Sequence, residues 1–319
     1  MPQPFSRAFS FLWLVLAPLA ALFSGCGVIT DMVHDNELRI GFLNNPDFVS
    51  PAKLRVGVFP FDDMVDLGNA ETGAHIAALV TEQFARNEHL LMVPPAEMRA
   101  YAESRGLQFP LTAEEAVQIC RDLNLNIVME GTISALGQSH VRTGWRKILR
   151  WFSDQQRYVE AMLSLRAYDS ADGAVVTARA SDSRLHTGDA PEPGLYGERE
   201  SEAITQEEAE ETLDDAIEGL YFRSLDGLKV TPFKAPAVAV DGGEVTIPFG
   251  EDVSLRRGSN FVVLSYIDEL VNQDNVVYRL PGPPQARLRV ESVGPRQSVL
   301  SVSEGYVNVG DIVQSWEID

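Results

Sequence analysis

Leu54-Arg55-Val56-Gly57-Val58-Phe59-Pro60-Phe61 opens the part of the chain whose reading decides the fold. This short apolar run, ended by Asp62-Asp63, predicts a buried strand. Helical spacing follows: Ile76, Leu79, Val80, Gln83 and Phe84 fall on one stripe, with Thr72 as the expected N-cap. Leu90-Leu91-Met92-Val93 predicts a second short strand, and Pro94-Pro95 opens a helix carrying Met98, Tyr101 and Ala102. Thr112-Ala113-Glu114-Glu115 is a capping box, with Leu111 and Ala116 spaced as a hydrophobic staple. Its helix turns Ala116, Ile119, Cys120 and Leu123 inward, and Asn126 to Ile133 is again strand-like.

Further along, Val159, Ala161, Leu163, Leu165 and Ala167 alternate with Glu160, Met162, Ser164 and Arg166. A turn at Asp169–Gly173 leads back through Ala174 to Ala178, which predicts a hairpin. Thr205-Gln206-Glu207-Glu208 is a second capping box, opening a long helix with Leu213, Ile217, Leu220, Tyr221 and Leu225 on one face. The predicted order is β-α-β-α-α-β-β-β-α over about residues 53–228. Helices between the early strands imply parallel pairing and the hairpin an antiparallel edge, so an α+β domain with a mixed sheet and packed helices is expected.

From about 229 to 319 the pattern changes. Val238–Val240, Glu244–Phe249, Phe261–Ile267, Val276–Tyr278, Ala286–Val290, Gln297–Val302 and Ile312–Trp316 read as short strands. Asp241-Gly242, Gly250, Gly258, Pro281-Gly282 and Gly310-Asp311 punctuate them. With no helix signal between, a small all-β barrel of SH3-like kind is the simplest closure.

The first 25 residues differ from everything after them. Arg7 is their only charged side chain, followed by the apolar run Ala8–Ala17 and then Pro18 to Phe23. That is a secretory signal (1–25), too short to span ~30 Å of hydrocarbon comfortably. Ser24-Gly25-Cys26 resembles the lipobox of bacterial lipoproteins, with Phe23 where that family usually has Leu. The resemblance implies an acylated Cys26 at the start of the mature chain. Gly27, rather than Asp, then implies the outer membrane. An ordinary cleaved signal or an uncleaved anchor is the alternative. Residues 26–52, with Asn44, Asn45, Pro46 and Pro51, read as a tether whose random-coil span is roughly 25–30 Å.

Composition narrows the function classes. The chain has 319 residues, 45% of them apolar, and a formal charge of −20. Such a balance excludes a disordered polymer and argues against nucleic acid as a partner. Cys26 and Cys120 are the only cysteines, so no disulfide framework exists. His34, His75, His89, His140 and His186 form neither H-x₃-H nor H-E-x-x-H, and no G-x-S-x-G or P-loop motif is present. No metal, cofactor or catalytic residue is expected. Asp62-Asp63 reads as a polar strand terminus. Asp169-Ser170-Ala171-Asp172-Gly173 reads as a β-turn, because the EF-hand frame would have to start at Tyr168. Cys120, on its apolar stripe, reads as an inert core thiol. Ten carboxylates against Arg199 between Glu198 and Glu218 make a solvated acidic face, and 182–204 a surface loop.

One stretch breaks the acidic trend. His140 to Phe152 carries Trp145, Arg146, Lys147, Arg150 and Trp151. Arranged as a helix, Trp145, Ile148, Leu149 and Phe152 share an apolar face and the cations lie opposite. Such an element suits a partner groove, an anionic glycan or a membrane surface; a helix packed on its own sheet with solvated arginines is the alternative.

"LRVGVFPFDD", "LLMVPPAEM", "AVQICRDLNLNIVMEGTIS" and "LRAYDSADGAVV" together resemble a domain shared by bacterial envelope proteins: the TolB N-terminal domain, the curli export lipoprotein CsgG, LpoB-type activators of peptidoglycan synthases, and the flagellar protein FlgT. "LRRGSNFVVLSY", "ARLRVESV" and "SEGYVNVGDIVQSW" resemble the FlgT C-terminal domain. The resemblance implies a non-enzymatic outer-membrane lipoprotein facing the periplasm that binds other envelope proteins. Its specific forms are a FlgT-like flagellar component, an LpoB-like activator of cell-wall synthesis with peptidoglycan as a further partner, or a CsgG-like secretion component that forms a ring of identical copies.

Overall fold

In a computed structural model, the chain divides into two units, Met1–Phe48 and Val49–Asp319. The structure describes residues 50–64, 71–142, 155–189, 205–229, 231–271 and 277–316. Cys26 therefore lies outside the described residues, as do Trp145, Arg146, Lys147, Arg150 and Trp151.

The second unit is α+β. In chain order it contains β1 (Leu54–Val58), β2 (Asp62–Asp63), α1 (Glu71–Ala85), β3 (Leu90–Met92), α2 (Pro95–Arg105), α3 (Ala113–Leu123), β4 (Ile127–Arg142), β5 (Gln155–Asp169), β6 (Val175–Asp189) and α4 (Gln206–Lys229). The first sheet runs β3-β1-β4-β5-β6, with β2 beside β4. Strand β1 pairs β3 and β4 in parallel, whereas β4, β5 and β6 are antiparallel. This mixed sheet is the one the helix-separated early strands and the later hairpin predict.

Both capping boxes form. The Thr112 hydroxyl accepts from the Glu115 N–H at 3.2 Å while the Glu115 carboxylate accepts from the Thr112 N–H at 2.9 Å. Thr205 and Glu208 repeat the exchange at 3.2 and 3.0 Å. Helix α1, by contrast, starts at Glu71, so Thr72 lies inside its first turn instead of capping it.

The sheet is covered on one face by α1 and α4. Ile76, Val80 and Phe84 of α1, with Leu213, Ile217 and Leu220 of α4, bury Val56, Val58, Ile127, Met129, Leu163 and Leu165. On the other face Met98 of α2 and Ala116, Ile119 and Cys120 of α3 pack on Phe59, Val128 and Tyr168. Gly73 sets how closely α1 can approach: a Cβ there would lie 2.0 Å from the Phe61 carbonyl oxygen, and the Phe61 N–H donates to the Gly73 carbonyl at 3.0 Å.

Two strands of the first sheet run further than their sequence predicts. Strand β4 does not stop at Ile133 but continues, after a bulge, to Arg142, where it pairs Gln155. His140 to Arg142 are thus strand, not the start of a helix. Likewise β6 runs to Asp189, so 182–189 is sheet rather than loop. The sequence hides these extensions because residues such as Gly137, Gln138 and Ser139 in β4 and Asp182-Ser183 in β6 break the run of alternating apolar positions.

The second sheet follows α4 and contains β7 (Lys234–Pro236), β8 (Ala239–Asp241), β9 (Glu244–Ile247), β10 (Asn260–Val271), β11 (Val277–Val293), β12 (Ser298–Gly305) and β13 (Ile312–Ser315). Its order is β7-β13-β10-β11-β12-β9-β8, all antiparallel. The end strands β7 and β8 belong to one stretch of chain. The Ala237 N–H donates to the Asp311 carbonyl and the Val238 N–H to the Thr246 carbonyl, both at 2.8 Å. The sheet therefore curls until a single segment bridges its two edges. Inside lie Phe233, Phe249 and Phe261, with ring centroids 5.1 and 6.2 Å from Phe233. Pro281-Gly282 does not end a strand as expected. Both residues sit within β11, whose register against β10 shifts repeatedly there, since proline cannot donate to the ladder and is tolerated at bulges.

The two sheets share one buried apolar cluster and a polar seam. Asn126, buried ahead of β4, accepts from the Arg55 N–H at 2.8 Å and donates to the Lys234 carbonyl at 2.6 Å. The Lys234 ammonium lies 2.9 Å from Asp169 Oδ2.

Candidate binding surface

Two buried carboxylates attract attention first, and both serve the fold. Glu130 lies on β4 at 5% exposure. It accepts from the Leu111 N–H at 2.7 Å and from the Tyr168 hydroxyl at 2.6 Å, with Arg166 at 3.9 Å. It ties the segment before α3 to the sheet. Asp169 Oδ2 meets Lys234, and its other oxygen accepts from the Ala171 N–H at 2.7 Å. In the same turn Asp172 accepts from the Ala174 N–H, and Gly173 adopts φ +71° with no room for a Cβ beside the Ala113 carbonyl. The β-turn reading of 169–173 describes this loop. The sequence reading missed Glu130, although a lone carboxylate inside Ile127-Val-Met-Glu-Gly-Thr-Ile133 was a visible signal.

Other sequence candidates are accounted for in the same way. Asp62-Asp63 form β2 against Thr132 and Ile133. Cys120 is buried at 2% exposure, and desolvation, with a smaller contribution from Asp169, pushes its thiol far above the ordinary range. Its thiolate is thus suppressed. Among the described residues no group of three or more His, Cys, Asp or Glu side chains is placed to hold a metal. Nor is any helix among them long and apolar enough to cross a membrane.

Helices α2 and α3 are clamped by a polar cluster. Asp122 accepts from the Tyr101 hydroxyl at 2.7 Å, from Arg105 at 2.8 Å and from Gln118 at 2.6 Å. The Tyr101 hydrogen bond, with Gln118 and Arg105, holds the Asp122 carboxyl below the usual carboxylate range. Burial, then the Asp122 hydrogen bond, raises the Tyr101 phenol to about 12, and burial followed by Glu130 raises Tyr168 further still. As pH climbs through about 10 the unfolded chain releases phenolic protons that these two keep. Their stabilising contribution is full below that point and is lost as pH rises towards about 12. The urea midpoint should therefore fall between pH 9 and 11.5, and Tyr101→Phe should flatten that fall; identical slopes in both proteins would contradict the clamp.

The larger surface is the face of β4, β5 and β6 beyond Glu130. There the exposed or half-buried Thr132, Ser164, Met162, Ala180, Asp182 and Arg184 line a broad sheet face that no helix among the described residues covers. Cross-strand pairs order it: Arg184 donates to Glu160 at 2.7 Å, and the Tyr158 and His186 rings stand 5.3 Å apart. Strand β6 is the sheet edge, and two arginines occupy it. Arg223 of α4 donates to the Ala180 carbonyl at 2.5 Å, and Arg179 donates to the Ala178 and Arg223 carbonyls at 3.2 and 3.1 Å. The basic, tryptophan-bearing residues 143–154 connect the paired ends Arg142 and Gln155 of the hairpin that carries this face.

No family model matches the chain, and no curated protein does. Among solved structures it is similar to the lipoprotein GNA1162 from Neisseria meningitidis, at 16% identity and TM-score 0.30 over 42% of this chain and 84% of that one. It is also similar to the hypothetical protein CT253 from Chlamydia trachomatis, at 12% identity and TM-score 0.35 over 56% and 98%. A third is the LpoB C-terminal domain from Escherichia coli, at 12% identity and TM-score 0.25 over 48% and 94%. Likeness at this level leaves the function to be read from the chain's own residues.

Proposed function

We propose that this chain is a lipid-anchored envelope protein, held through Cys26 to the periplasmic face of the outer membrane, whose folded unit is an interaction and assembly module and not an enzyme. The observation that carries the reading is Ser24-Gly25-Cys26 directly behind a signal-type apolar run, ahead of the second unit, which starts at Val49. Two or more acyl chains on one cysteine make anchoring stable where a single chain is marginal. The site chemistry is consistent with work by contact. Glu130 and Asp169 are saturated by structural partners, while the open face of β4–β6 offers a broad, ordered surface. Trp145, Arg146, Lys147, Arg150 and Trp151 lie in the sequence between Arg142 and Gln155 and are the proposed partner-binding residues.

Radiolabelled palmitate should enter the protein and vanish completely in Cys26→Ala; absence of label in the unaltered chain would overturn the anchor. In finer detail, the second sheet is read as an SH3-like barrel and the whole as a FlgT-like flagellar assembly component. Activation of cell-wall synthesis in the LpoB manner, with peptidoglycan nearby, is the second reading, favoured by the basic aromatic segment on an otherwise acidic chain. A CsgG-like, ring-forming secretion component is the third. Loss of motility on deletion marks the first, a lytic or shape defect the second, and rings in micrographs the third.

A further inference from the structure

A cleft of about 510 Å³ lies near the start of the second unit, lined by Ser50, Lys53, Glu88, His89, Ser254 and Arg256. Three segments distant in sequence build it: the residues before β1, the turn between α1 and β3, and the short helix Glu251–Val253 with the residues after it. Their backbones are pinned together. The Lys53 N–H donates to the Val253 carbonyl at 2.7 Å, and the Leu54 N–H to the His89 carbonyl at 2.9 Å. The His89 N–H donates to Asn87 Oδ1 at 2.9 Å, and the Arg256 carbonyl accepts from the Ser259 hydroxyl at 2.8 Å.

The charge balance of the cleft is opposite to that of the molecule. Lys53 and Arg256 have no carboxylate partner among the described residues. Glu88 is the one acid in the lining; it is 88% exposed and lies 3.8 Å from His89 Nε2. Asp252, next to this wall, is already taken up by Arg55 at 3.7 Å and by the Gly250 N–H at 2.8 Å. On a chain of charge −20, a pocket with two unpaired cations, an imidazole and two hydroxyls is an anion trap.

We propose that this cleft binds a phosphate-type oxyanion, with Lys53 and Arg256 as charged donors and Ser50, Ser254 and His89 as polar partners. Several donors converging from separate segments suit the many acceptor sites of a phosphate better than the two oxygens of a carboxylate. The ligand is either a free phosphate ester or the phosphodiester headgroup of a lipid. The second source fits the Cys26 anchor and rests on that reading, whereas binding itself does not.

The test is titration calorimetry on the full-length protein purified in neutral detergent. The probes are inorganic phosphate, glycerol 3-phosphate, glycerophosphoglycerol (a lipid headgroup without its chains) and acetate. Saturable binding of at least one phosphate probe, tighter than acetate, is expected. Lys53→Gln/Arg256→Gln should weaken it by about tenfold or more, and Glu88→Gln should tighten it about two- to fivefold. Glu88 and Arg256 are exposed and Lys53 is half-buried, and each substitution keeps a polar side chain of similar reach, so melting temperatures should change little. Preference for glycerophosphoglycerol assigns a lipid headgroup, and preference for the monoesters a free phosphate. Absence of saturable binding, equal binding of acetate, or affinity indifferent to the double substitution would overturn the site, whether or not palmitate labels Cys26.

Discussion

With Lys234 replaced by methionine, the protein is expected to lose about 3–5 kcal/mol of stability, the usual cost of stranding one buried charge. The Lys234 side chain is 19% exposed and that of Asp169 only 6%, so Asp169 cannot recover in water what it loses in its partner. Its position is fixed as well: the Asp169 N–H donates to the Ala174 carbonyl at 2.9 Å, and Oδ1 is held by the Ala171 N–H. Chemical denaturation at neutral pH checks the value. The double variant Lys234→Met/Asp169→Asn should regain most of the loss, because asparagine still accepts from Ala171 and carries no charge. A loss below about 1 kcal/mol in the single variant would mean that water reaches Asp169 after all.

Phe233→Ala should be equally severe, at about 3–5 kcal/mol. Phe233 is fully buried between Phe249 and Phe261. Its backbone is held on both sides, by the Ser315 hydroxyl at 3.0 Å and the Ser315 N–H at 2.8 Å, so the surroundings cannot collapse into the space. Such a loss is a large share of the ~5–15 kcal/mol typical of a whole domain. Because the apolar cluster containing Phe233 continues into Val56, Ile127 and Leu163, hydrogen exchange should quicken in β1 and β4 as well as in the second sheet. Protection lost only from β10 to β13 would show that the two sheets open independently.

The fold was most legible where it is local. Thr112 with Glu115 and Thr205 with Glu208 satisfy each other's backbone within one turn, so their spacing alone located two helix starts. The parallel pairing of β1 with β3 and β4 followed from the helices between them. Distal β4 was not legible, since Ala135 to His140 alternates only weakly and its pairing comes from β5 across the intervening chain. The surface sites were legible least of all. Lys53, His89 and Arg256 are unremarkable in sequence, and only the meeting of three remote segments gives them a common cleft. Asp169 and Lys234 are 65 positions apart, and nothing local to either foretells the pair.

The guanidinium groups of Arg179 and Arg223, set against β6, bear on crowding. Under the proposed Cys26 anchor, the protein would diffuse within a thin layer, where encounters with its own kind are frequent. A bare strand margin in such a layer is a seed for runaway fibre growth. At Ala178 and Ala180 that seed is stoppered, because an incoming strand must first evict Arg179 and Arg223 before its own amides find an acceptor.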